Sequence, residues 1–197
     1  MRAAGLPLYA LESGDAVKDF DIIAFSLGYE MAYTSILDML DLAGLPVRAA
    51  DRPSLTPIVM AGGTACINAE PITDFIDLFL IGEGEELDLE VVRLHEKARD
   101  EGWTKAEFLR RAADIEGVYV PSLYDVGYNE DGTVASFTPR DGAPSKVRKR
   151  IVQDMDAAYF PEDTIVPSTE IIHDRVVLEL FRGCIRGCRF CQAGYAY

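Results

Sequence analysis

The sequence predicts an α/β fold built on a doubly wound parallel sheet, and three observations carry that expectation. Ile22, Ile23, Ala24 and Phe25 form an unbroken apolar run with β-branched members, as a strand covered on both faces requires. The unit of strand, glycine turn and helix then recurs along the first half of the chain. Ser26, Gly62, Gly63, Gly82 and Gly84 all fall at predicted C-terminal ends of strands, where open α/β sheets receive ligands.

Taken in order, "MRAAG" reads as the tail of a helix capped by Gly5, so the strand and most of the helix that should open such a domain are expected to be missing. "PLYALES" reads as a short strand and "FDIIAFSLGYE" as a buried one. "MAYTSILDMLDLAGLP" sets Ile36, Leu37 and Leu40 at helical spacing and stops at Gly44, with Pro46 beyond. "TPIVMAGG" is the next strand, "EPITDFI" a short helix opened by Pro71, and "DLFLIGEGEE" a further strand. Leu87, Val91, Leu94 and Ala98 then mark one side of a long helix, whose N-terminus is favoured by Glu83, Glu85 and Glu86 through its dipole. "GVYVPSLYDVGYNEDGTVASFTPR" turns to short aromatic and β-branched runs, a hairpin about Asp131-Gly132. Ser145 to Asp174 has Pro161 and Pro167 and little periodicity, the mark of a linker, with "SKVRKR" as a solvated basic run. "RVVLEL" begins a new strand. The expected divisions are therefore an α/β domain over 1–116, a hairpin extension over 117–144, a linker over 145–174 and the start of a further domain over 175–197.

Composition narrows the partners. A formal net charge of −14 opposes nucleic acid and anionic membrane surfaces, both polyanions. No apolar stretch approaches the roughly 20 residues of a membrane helix, and no secretory leader is visible, so the expected location is cytoplasmic. In that reducing compartment clustered cysteines ligate metal more often than they form disulfides.

Such a cluster closes the sequence: Cys184-x3-Cys188-x2-Cys191, just after an apolar run. Three thiolates in one short loop can hold three irons of a cubane and leave the fourth open. Arg182, Arg186 and Arg189 can lower thiolate pKa values and offset the cluster's negative charge. The loop, with Phe190 immediately before the last cysteine, resembles the signature of the radical S-adenosylmethionine (radical SAM) enzymes. That resemblance implies that Cys184, Cys188 and Cys191 hold a 4Fe-4S cluster, and that Phe190 lies near the adenine of S-adenosyl-L-methionine chelated on the open iron. It further implies reductive cleavage to a 5′-deoxyadenosyl radical, a flavodoxin- or ferredoxin-type electron donor, and "RVVLEL" as the first strand of a partial βα barrel. A zinc knuckle with His173 or Cys66 as fourth ligand is the competing reading, although zinc clips usually come in pairs.

The stretch from Asp21 to Pro121 in turn resembles the flavodoxin-like, cobalamin-binding-like domain found ahead of many radical SAM cores. This implies cobalamin in the crevice lined by Ser26, Gly62, Gly63, Gly82 and Gly84, or else glycines that merely allow tight strand-to-helix turns. No Asp-x-His-x-x-Gly is present, and His95 falls in a helical pattern, so no visible histidine is placed to bind cobalt. The favoured expectation is the N-terminal part of a radical SAM enzyme acting on an unknown substrate. The chain alone is expected to be inactive, with no catalytic residue of its own and a sheet edge open to artefactual dimerisation. The alternatives are a cobalamin-like binding module without catalysis and a zinc-binding interaction protein.

Overall fold

Two segments without a polar face make the centre of a four-stranded sheet. Ile58 and Val59 of β2 (Ile58–Gly62) and Leu78 and Phe79 of β3 (Leu78–Leu80) are wholly buried. β1 (Ile22–Ser26) runs parallel to β2, with Ile22 opposite Ile58 and Ser26 opposite Gly62. β2 runs parallel to β3, with Met60 opposite Leu78. β4 (Val118–Tyr119) lies on the far side of β3 in the antiparallel sense, Phe79 facing Tyr119. The order β1-β2-β3-β4 is sequential, so these four strands contain no point at which the order reverses.

This computed structural model describes residues 1–162, 166–172, 175 and 177–196. The chain divides into two compact units, Met1–Ile151 and Val152–Tyr197.

In the first unit, α1 (Tyr33–Leu42) follows β1 and buries Ile36 and Leu40. α2 (Gly84–Glu101) follows β3 and buries Leu87, Val91, His95 and Ala98, one residue from each of successive turns. Gly102 ends it with φ 70°, a left-handed cap. α3 (Lys105–Ala112) comes next, a helix that the hydrophobic spacing alone did not announce. Its start is a capping box: Thr104 Oγ1 accepts from the Glu107 N–H at 3.2 Å, and Glu107 Oε2 accepts from the Thr104 N–H at 2.8 Å. This second helix explains why β4, in a stretch expected to belong to the hairpin extension, joins the main sheet in the antiparallel sense. One helix returns a chain to the starting edge of a sheet, and another carries it back before the next strand.

β5 (Tyr124–Tyr128) and β6 (Val134–Pro139) form the expected hairpin as a separate two-stranded sheet, with a bulge between Gly127 and Tyr128. It is attached to the main core by aromatic packing: Tyr124 stacks on Phe137 at 4.7 Å and touches Tyr119 at 5.3 Å.

Three expected elements differ. "PLYALES" makes one bridge, Tyr9 to Ala16, and no strand. "MRAAG" is a single 3₁₀ turn, Arg2–Ala4, ended by Gly5 at φ 63°. In "RVVLEL" the described residues, Arg175 and Val177 to Leu180, lie in no strand. Leu178 and Leu180 are exposed, and a strand without a neighbour to complete its ladder has nothing to hold it extended. The second unit's one helix among the described residues is the short α4 (Ala193–Ala196). No helix among the described residues is long and apolar enough to cross a membrane.

Candidate functional site

The strand ends gather the residues that the sequence reading had grouped. Ser26 and Gly62 are direct partners in register at the ends of β1 and β2, Gly63 follows at once, Gly82 lies between β3 and α2, and Gly84 is the first residue of α2. Two of these glycines are required by the protein's own backbone. A Cβ on Gly63, at φ 102°, would sit 2.6 Å from the Leu27 carbonyl oxygen. One on Gly82, at φ 113°, would collide with the backbone of Arg150. The basic run "SKVRKR" is therefore not wholly solvated, because Arg150 is seated against the sheet.

A second concentration of functional groups went unnoticed in the sequence. Asp77, just before β3, is 4% exposed and accepts from the Val59 N–H at 2.9 Å and from Lys105 Nζ at 2.8 Å, with the Arg52 guanidinium at 3.4 Å. Arg52 also donates to the carbonyls of Pro46, Val47 and Phe75, and Lys105 to that of Arg52. Burial lowers the Lys105 pKa, against the opposing pull of Asp77. These groups border a cavity of about 1150 Å³, whose other walls include Phe75, Tyr119, Tyr124 and Tyr128. Tyr119 donates to Glu70 at 2.6 Å, and its pKa is raised, first by burial and then by that bond. Nothing local in the sequence marks this group, since its members come from positions 52, 77 and 105 and meet only in the fold.

The remaining titratable candidates are structural. His95 is buried edge-on against Phe108, ring centres 5.4 Å apart. Cys66 is buried in the 3₁₀ turn after β2, and burial pushes its thiol up to about 12. It packs as a small apolar residue. His173 lies outside the described residues.

In the second unit Cys184, Cys188 and Cys191 are free and exposed, and Phe190 beside them is exposed as well. Gly183 at φ 86° and Gly187 at φ 61° turn the chain, and the Cys191 N–H donates to the Cys188 carbonyl at 3.1 Å. Arg182 is held by Glu179, with Nε 2.8 Å from Oε1, so its charge is shared with that carboxylate. The donor set suits an iron-sulfur cluster, being three thiols and no hard oxygen ligand. Among the described residues, however, no three His, Cys, Asp or Glu side chains stand together as a metal group. The three thiols therefore share one loop without standing together.

A family model described as "Radical SAM proteins, N-terminal" matches residues 1–121. The chain belongs to this family. The match ends more than sixty residues before Cys184 and so does not rest on the cysteine spacing. The chain is also similar to an uncharacterized protein, MJ0966, of Methanocaldococcus jannaschii, 26% identical over 198 residues that cover 100% of this chain and 35% of that protein. It thus spans about a third of the length of this curated relative. No solved structure matches.

Proposed function

We propose that this chain is the N-terminal part of a radical SAM iron-sulfur enzyme. Cys184, Cys188 and Cys191 would hold the 4Fe-4S cluster, and Phe190 would flank the adenine of S-adenosyl-L-methionine. The observation that carries the reading is the coincidence in one chain of the family match over 1–121 with the downstream Cys184-x3-Cys188-x2-Cys191 loop. When bound, the reduced cluster and S-adenosyl-L-methionine supply a 5′-deoxyadenosyl radical for hydrogen abstraction. The chain's own residues supply three thiolate ligands, two glycine turns that let the loop fold back, and an aromatic face. Zinc is disfavoured by the lack of a second cysteine clip.

The deciding experiment is anaerobic reconstitution of the full-length protein with iron and sulfide, followed by metal analysis and assay for 5′-deoxyadenosine. About four irons per protein and reductant-dependent 5′-deoxyadenosine are expected. Zinc without sulfide, or a cluster that survives loss of Cys188, would reject the assignment.

One observation favours a second role, in which the α/β unit binds a small molecule independently of the cysteines. The cavity beside Lys105 and Tyr119 has the volume and the mixed aromatic and charged lining of a ligand site.

A further inference from the structure

In open α/β folds the glycine turn between a strand and the next helix receives a bound anion on free backbone N–H groups. Here that turn joins β3 to α2, and its ligand position is taken by the chain itself. Arg150 runs parallel to it: the Arg150 N–H donates to the Ile81 carbonyl at 2.8 Å, and the Arg150 carbonyl accepts from the Glu83 N–H at 3.1 Å. A Cβ on Gly82 would stand 2.5 Å from the Arg150 nitrogen, and one on Gly117 would stand 3.0 Å from the Arg150 Cβ. Two glycines with positive φ, 113° and 97°, thus clear the space that this one residue fills.

The charge at the turn is also the reverse of that at an anion site. The Arg150 guanidinium donates to Glu86 at 3.0 Å and to Glu90 at 2.5 Å, carboxylates one turn apart on α2. Glu83 and Glu85 add further negative charge at the same helix start. An incoming phosphate, whether of a nucleotide or of cobalamin's nucleotide loop, would meet repulsion there as well as a filled cradle.

We infer that the β3–α2 turn is a receptor for peptide backbone bearing an arginine, occupied in cis by Arg150, rather than a site for cobalamin or a nucleotide. The seat anchors the basic segment 145–150 and sets the point from which the chain leaves the α/β unit. Gly82, which the sequence marks as part of a ligand crevice, is here one half of an internal clasp, and Gly117 is the other.

The test uses the 197-residue chain and two readouts that need neither cluster nor S-adenosyl-L-methionine, so the proposal can fail while the enzyme reading stands. Hydrogen exchange of the segments around Glu83 and Arg150 should accelerate roughly tenfold in Arg150→Glu, as loss of a charge-assisted pair implies. Exchange of β2 and β3 should be unchanged, which shows that the variant is folded. The triple variant Arg150→Glu, Glu86→Arg, Glu90→Arg should recover the protection. Titration with cyanocobalamin, whose axial ligand does not exchange with thiols, should not slow exchange around Glu83 in the wild-type chain. Unchanged exchange in Arg150→Glu, or protection of the Glu83 segment by saturating cyanocobalamin, overturns the proposal.

Discussion

The four cysteines are chemically two kinds of residue. Cys66 is buried with its thiol pushed up to about 12, whereas Cys184, Cys188 and Cys191 are exposed. Alkylation requires the thiolate, so iodoacetamide at mildly alkaline pH should label three thiols in the folded chain and the fourth only after denaturation. Mass spectrometry gives the count, and rapid native labelling of Cys66 would contradict the burial. Lys105 makes a pH prediction. Burial puts its folded pKa below the ordinary 10.5, so between the two values the unfolded chain holds a proton that the folded chain has shed. Unfolding free energy from this group therefore rises with pH through that window. Lys105→Met has no such proton, so urea titrations should show the wild type gaining on the variant as pH climbs towards 10.5. Parallel curves would refute it. At this scale the cysteine triad was legible because its spacing is covalent. The Arg52–Asp77–Lys105 group was not, because only the packing of three separate segments brings a lone lysine to a lone aspartate.

At the scale of elements, periodicity served wherever burial is continuous. β2, β3, α1 and α2 follow from their apolar patterns. α3 was missed because it is short and strongly charged; its readable signal was the Thr104-x-x-Glu107 box, not its apolar face. Thr104→Ala should cost about 1 kcal/mol of stability, measured by urea unfolding, through loss of that cap. A change near zero would mean that packing of Phe108 and Leu109 alone holds the helix. Gly82→Ala should cost more, about 1 to 3 kcal/mol, because it combines a positive φ with a collision against Arg150. "PLYALES" and "RVVLEL" show the converse failure. Both have strand-like composition, but a strand is a relation between two segments, and neither has more than one bridge among the described residues.

For the whole molecule, the two units should answer different experiments. Cys184→Ala, Cys188→Ala and Cys191→Ala should each abolish cluster uptake by the full-length protein. They should leave the unfolding of Met1–Ile151 unchanged, since no cysteine of the triad lies in that unit. Paired iron analysis and thermal melts check both halves of the prediction. The sequence by itself determined the α/β class, the hairpin, the cysteine triad and the resemblance to radical SAM proteins, because these depend on residue order and short-range period. Only the tertiary structure decided that β4 runs antiparallel, that Asp77 is shared by two buried cations, and that Arg150 fills the space cleared by Gly82 and Gly117. Each of those joins residues far apart in the chain, and which of many distant partners wins is set by the packing of the whole core rather than by any local preference.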